Sequence, residues 1–208
     1  MKYQLDESHE NDIPCTALYK PNMDCFSPSI IVCFIMNDDW NEQMLRELKE
    51  KTGAYLLVGL QTVDSQFEVL NIIDGVINCR PDEVNDVIAL LDVKAASTLI
   101  GIDVVDVKRL FECGNSFQFV QASATGEPEF DMIKVVTYNL ISLLAKASDT
   151  KGVLVGMQSM QALPLESIAY VTEAVEGLLS GDEASIYCSS SSTDEFNTFG
   201  LKAIYAEE

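Results

Sequence analysis

The sequence predicts an α/β protein: a small parallel βαβ unit, a helix, then a second unit of order βαβαββ with a four-stranded sheet and two helices. Three observations carry this. Apolar runs of strand length alternate with stretches whose apolar residues recur at helical spacing. Pro81, Pro128 and Pro164 each stand where a first helical residue is expected. The first two strands are separated by a helix, which requires parallel strands with a right-handed crossover.

Residues 1–28 are polar, carry Pro14, Pro21 and Pro28, and read as an extended N-terminal arm. The stretch 29–100 follows as a small sheet and a helix. Ile30 to Ile35 is a buried strand, and Asn41 to Thr52 is a helix with Met44, Leu45 and Leu48 on one face and Gly53 at its C-terminal cap. Tyr55 to Leu60 is the second strand and Ile72 to Cys79 a third. Pro81 then opens a helix with Val84, Val87, Ile88 and Leu91 aligned, running to about Thr98. The stretch 101–208 is the second domain. It starts with a short helix through Phe111 and a strand from Phe117 to Ala122. A long helix from Pro128 presents Ile133, Val136, Leu140, Leu143 and Leu144 inward. Then come a strand from Gly152 to Met157 and a helix from Pro164, with Ile168, Val171, Val175 and Leu178 inward. Strands from Ser185 to Ser190 and Leu201 to Ala206 complete the order.

Composition excludes several function classes. The chain has 208 residues, 48% of them hydrophobic, so a real core is available. Its 33 acidic against 13 basic residues leave a net charge of −20, which repels nucleic-acid phosphates and anionic lipid. The longest apolar run, Ile30 to Met36, falls far short of the roughly 20 residues a spanning helix requires. The acidic N-terminus is not a secretory signal. Six cysteines, at 15, 25, 33, 79, 113 and 188, form no CxxC pair, and the single histidine is His9, so no metal site is expected. Cys33, Cys79 and Cys188 read as buried thiols, and a reducing cytoplasmic location fits.

Glycine placement argues further. The first glycine is Gly53, and the eleven glycines form no GxG, no GxxxxGK and no Gly-rich run. Phosphate cradles need backbone N–H groups close to phosphate oxygens, which glycine permits. Nor is there a GxSxG, an HExxH or a histidine base inside the fold. The expectation is a binding protein that is not an enzyme in its own right and holds no cofactor.

Three segments resemble FtsZ, the bacterial tubulin-like division protein. Gly101-Ile102-Asp103-Val104-Val105-Asp106-Val107-Lys108 is similar to that family's aspartate loop and helix start. Ala122 to Glu127 is similar to its small-residue strand end, and Lys151-Gly152-Val153-Leu154-Val155 to its Arg-Gly-Val-Leu-Val strand. More weakly, Ser29 to Thr62 resembles the strand–helix–strand unit that carries the family's main phosphate loop. At the loop position stands Met36-Asn37-Asp38-Asp39-Trp40, without glycine and with two acids that repel a triphosphate.

The resemblance implies a reduced FtsZ relative: a remnant of the nucleotide-domain sheet, a shortened central helix and a whole second domain. It implies that Asn37, Asp38 and Asp39 mark a degenerate phosphate loop. It also implies that Gly101, Asp103 and Asp106 form a partner-binding loop, because family subunits stack head to tail through that aspartate loop. Gly101 stands where the family has asparagine, which opposes catalysis. A purely local role remains open for Asp103 as a helix N-cap and for Asp106 in the first turn. The expected function is a nucleotide-independent FtsZ-like accessory protein, a pseudo-GTPase of cell division whose partner is FtsZ, another FtsZ-like subunit or itself. With Glu208 directly after the last strand, no tail-borne membrane anchor is expected. The alternatives are a self-assembling scaffold unrelated to division and a residual GTP-binding FtsZ paralogue.

Overall fold

The computed structural model describes residues 15–21, 23, 25–62, 70–92, 101–126, 129–145, 150–179 and 184–207. Among these, eight strands make one sheet: β1 (Thr16–Tyr19), β2 (Ile31–Ile35), β3 (Leu56–Gln61), β4 (Gly75–Asn78), β5 (Ser116–Thr125), β6 (Gly152–Ser159), β7 (Ser185–Ser192) and β8 (Thr198–Glu207). The spatial order is β1-β2-β3-β4-β5-β8-β6-β7, and β8 alone runs antiparallel to its neighbours. Five α-helices are described: α1 (Glu42–Thr52), α2 (Val84–Leu91), α3 (Val104–Glu112), α4 (Glu129–Leu144) and α5 (Leu165–Glu176).

Strand alternation sorts the helices onto two faces. Ile77 of β4 pairs with Phe117 of β5, and Phe119 of β5 with Ile204 of β8, which pairs with Leu154 of β6. These residues share one face, where Val87 and Leu91 of α2 and Val107 and Leu110 of α3 pack on them. On the opposite face, Leu45 and Leu48 of α1 cover Val32, Phe34, Leu57 and Val76. Further along that face, α4 and α5 press Ile133, Val136, Leu140, Val171 and Val175 onto Val153, Val155, Leu201 and Ala203. The parallel strands β2, β3 and β4 are buried on both sides, as parallel strands under helices are.

Local chemistry accounts for the helix ends. Asn41 caps α1, its Oδ1 accepting from Met44 N at 3.0 Å. Gly53 closes the helix at φ 67°, a left-handed conformation that glycine adopts without strain. Pro81 opens a 3-10 turn, Pro81–Glu83, that leads into α2. Pro164 is the N-cap of α5, so Leu165 is the first helical residue. Pro128 and the stretch from 93 to Thr98 lie outside the described residues, as does His9.

Three expectations need correction. The second half does not carry a separate four-stranded sheet. Its strands do lie in the order β5-β8-β6-β7 with α4 and α5 on one face, but β5 also pairs in parallel with β4 through Val76↔Ser116, Ile77↔Phe117 and Asn78↔Gln118. Phe117 is fully buried against Phe111, with ring centroids 5.0 Å apart, and such a residue cannot sit on an open sheet edge. Second, the stretch 1–28 is not all arm. β1 pairs with β2, Cys15 and Tyr19 are buried, and the Tyr19 hydroxyl donates to Ser27 O at 2.6 Å. Four residues between prolines are too few for alternation to announce a strand. Third, β4 is shorter than Ile72 to Cys79 because Asp74 leaves the strand conformation. Its carboxylate accepts from Leu57 N at 2.7 Å and from Lys49 Nζ at 2.8 Å.

Candidate functional site

The two sets of sequence-predicted residues occupy different places. Asn37, Asp38 and Asp39 follow β2 and lead into α1, on one face of the sheet. Gly101, Asp103 and Asp106 open α3, on the other face, beside β6 and β8. The structure does not bring them together.

At α3 the local chemistry is a reciprocal cap. Asp103 Oδ1 accepts from Val105 N at 2.8 Å and Asp106 N at 2.9 Å, while Asp106 Oδ2 accepts from Asp103 N at 3.0 Å. Each carboxylate therefore satisfies backbone donors that a helix start leaves open, and their charges complement the helix dipole. Asp103 remains exposed and Asp106 half-buried, so oxygens not used in the cap still face solvent. Ile102 is buried in the core and pins the loop.

The segment Met36–Trp40 sits at the carboxyl end of a parallel strand and just before a helix, where α/β sheets bind phosphates. Here Asn37 is bonded within the segment. Asn37 Oδ1 accepts from Asp39 N at 3.2 Å, and Asn37 O accepts from Trp40 N at 3.2 Å. Asn37 Nδ2 donates to Asp39 Oδ2 at 3.2 Å. Asp38 and Asp39 are exposed, whereas Met36 and Trp40 are buried, Trp40 edge-on to Phe34 with centroids 5.4 Å apart. The Trp40 indole N–H is buried without a hydrogen-bond partner.

Sequence reading missed a polar row beside α2. Buried Glu83 accepts from the Arg80 guanidinium at 2.9 Å, from Arg80 N at 2.8 Å and from Gln121 Nε2 at 3.3 Å. Lys202 of β8 meets Asp86 of α2 at 2.8 Å. Next to this pair, a small cavity of about 40 Å³ is lined by Leu90, Gly101, Ile102, Gly156, Ser189 and Lys202, among others. Gly156 had a legible signal: a glycine inside a strand marks close approach of another group. A Cβ there would stand 2.5 Å from Leu90 Cδ1.

Cys33, Cys79, Cys113 and Cys188 are unsuited to nucleophilic work, because burial raises each of them. Burial, then the neighbouring Cys79, pushes Cys33 up to about 12, and burial, then Glu83, pushes Cys79 up to about 11. Cys33 is fully buried as expected, while Cys79 and Cys188 are only half-buried. Among the described residues, no helix is long and apolar enough to cross a membrane.

No protein-family model matches the sequence, and no curated protein matches it. Solved structures do match. An FtsZ mutant from M. jannaschii superposes with a TM-score of 0.65 at 16% identity, over 86% of this chain and 65% of that one. An empty FtsZ dimer from the same organism gives 0.65 at 17% identity, over 86% and 63%. A CetZ from Haloferax volcanii, a GTPγS-bound protofilament, gives 0.55 at 14%, over 85% and 64%.

The fold is FtsZ/tubulin-like. The chain spans less than two thirds of the FtsZ chains it matches, 65% and 63% of their lengths. The resemblance read from a few loop residues thus reflects a likeness of fold that extends over 86% of this chain.

Proposed function

We propose that this chain is an accessory subunit of an FtsZ-like filament that works without nucleotide and adds to a filament through the Gly101–Asp106 loop. The observation that carries the reading is the Met36–Trp40 segment. It stands between β2 and α1, where α/β sheets bind phosphates, yet it holds no glycine, Asn37 and Asp39 bond to each other, and Asp38 and Asp39 face solvent. A triphosphate there would meet two carboxylates. The exposed side of the Asp103–Asp106 cap supports the other half of the reading. So do the neighbouring structures, described as an FtsZ dimer and a CetZ protofilament. A subunit with a joining loop but no nucleotide face accepts one neighbour and refuses the next. It would act at one filament end, far below one-to-one ratio, and would not hydrolyse GTP itself.

The test is sedimentation of FtsZ with GTP, with and without the purified chain. The expected result is altered assembly at substoichiometric ratio, reduced by Asp106→Asn. That substitution keeps shape, removes a first-turn charge worth about 0.3–1 kcal/mol, and should leave the melting curve nearly unchanged. Equal effects of Asp106→Asn and the parent would move the contact elsewhere, and no effect at any ratio would end the proposal. In the same preparation, calorimetry should detect no GTP or GDP binding. A dissociation constant near about 1 μM, or −8 kcal/mol, would replace this reading by a GTP-binding paralogue. A scaffold that assembles with itself is the second reading, favoured by the uncharged outer edge of β7.

A further inference from the structure

We infer that β7 is a pairing edge through which two copies of this chain join in an antiparallel, two-fold dimer, making one continuous sheet of the two. β7 ends the sheet: it pairs with β6 on one side, and among the described residues with nothing on the other. Exposed edges are normally blunted by charge, proline, a bulge or short length. β7 has none of these. Its eight residues, Ser185 to Ser192, include no ionisable acid or base other than Tyr187 and Cys188, no proline and no glycine. All eight register without a break against Gly152 to Ser159.

The backbone direction follows from two hydrogen bonds. Ser185 N donates to Lys151 O, and Thr193 N donates to Ser159 O, both at 3.0 Å. Because direction alternates along a strand, odd-numbered residues of β7 face β6, and Ile186, Cys188, Ser190 and Ser192 aim their N–H and C=O groups outward. Four donors and four acceptors therefore stand ready for a ladder.

A second copy fits this edge for two reasons. The chain carries a net charge of −20, so two copies repel over most of their surface, and a strand free of carboxylates brings no like charges face to face. Among the described residues the strand at the opposite edge, β1, has four residues, half the length of β7, so pairing β7 with β1 would leave outward groups of β7 unmet, whereas β7 against itself matches in length. In the two-fold register centred on Ser189, which sets outward-facing residues against each other, Ile186 lies opposite Ser192 of the second copy and Cys188 opposite Ser190. Such a dimer carries two Gly101–Asp106 loops. That consequence for filaments rests on the proposed function, but the dimer does not.

The experiment is sedimentation velocity of the full chain from about 1 μM to about 1 mM, with amide exchange at both ends of the range. The expected result is a monomer–dimer equilibrium, with the amides of Cys188 and Ser190 slowing at least tenfold at the high end. Raising salt from about 0.02 M to about 0.5 M should tighten the dimer, since it screens repulsion between two acidic bodies. Ser190→Pro removes an outward N–H and leaves the β6 ladder whole, so it should weaken dimerisation at least tenfold while the melting temperature stays near the parent's. Ser190→Lys gives a second, gentler block if the proline variant folds poorly. A monomer at every concentration and salt, or a dimer that both variants leave unchanged, overturns the proposal, whatever the outcome with FtsZ.

Discussion

Gly75 and Gly53 show two physical reasons for a glycine. A Cβ on Gly75 would stand 2.6 Å from Cδ1 of Phe111, a buried ring that also stacks edge-on against Phe117. A Cβ on Gly53 would meet nothing within 4 Å, but the backbone there has φ 67°. Gly75→Ala must therefore push a core ring aside, at a cost of about 1–3 kcal/mol. Gly53→Ala should cost about 1 kcal/mol of backbone strain alone. Urea unfolding measures both, and near-ultraviolet or NMR signals of Phe111 should move only in the Gly75 variant. A silent Gly75→Ala would mean that α3 rides further from β4 than the structure has it. Asp103 and Asp106 belong to the same scale. Their capping geometry explains why both are acidic without any partner, so only a variant that spares the cap can reveal a contact.

The seam between β4 and β5 turns two sets of elements into one sheet. Asn78 crosses it, its Nδ2 donating to Phe117 O at 3.2 Å and Ser116 Oγ at 3.0 Å. Replacing it by leucine removes two half-buried hydrogen bonds, each worth about 0.5–1.5 kcal/mol, and leaves the Ser116 hydroxyl without this donor. Asn78→Leu should lower the urea midpoint and speed exchange of the Phe117 and Gln118 amides more than those of β6. If only global stability changes, with no local preference for β5, the seam is not the element that Asn78 holds. The α2 and α3 layer depends on the same seam, because its cluster takes Ile77 from β4, Phe117 and Phe119 from β5 and Ile204 from β8.

Over the whole molecule, the thiols report burial. Cys33, held up near 12 by burial against an ordinary 9.0, stays protonated in the folded chain where an unfolded chain has begun to ionise. The stability this contributes is fully present below about pH 9 and is lost as pH rises towards 12; Cys79, at about 11, adds a smaller part of the same sign. The urea midpoint should therefore fall between pH 9 and 11, and Cys33→Ala should flatten that fall. A slope that Cys33→Ala leaves unchanged would assign the alkaline loss to other groups. At pH 8, exposed Cys25 should react first with a thiol reagent, while Cys15 and Cys33 wait for global unfolding.

Much of this was legible in the sequence because it is local. Asn41, Gly53 and Asp103 are caps whose chemistry acts within one turn, and the apolar stripes of α1, α4 and α5 were visible from spacing alone. The absence of glycine from Met36–Trp40 was legible for the same reason, since residue identity along one short segment is local. Three short segments, one a loop and helix start and two on strands, also carried the likeness to FtsZ. What the tertiary structure alone decided is which elements meet. Strand pairing runs through backbone groups that every residue shares, so nothing in Ser116 to Gln118 announces β4 as a neighbour, and nothing in Thr16 to Tyr19 announces a strand. Lys202 finds Asp86 across 116 residues of chain, and Gly101 lines one cavity with Gly156 and Ser189 only because the tertiary fold places them around it. Side-chain pattern fixes each element's inward face; the choice among partners for that face is made by shape and burial over the whole sheet.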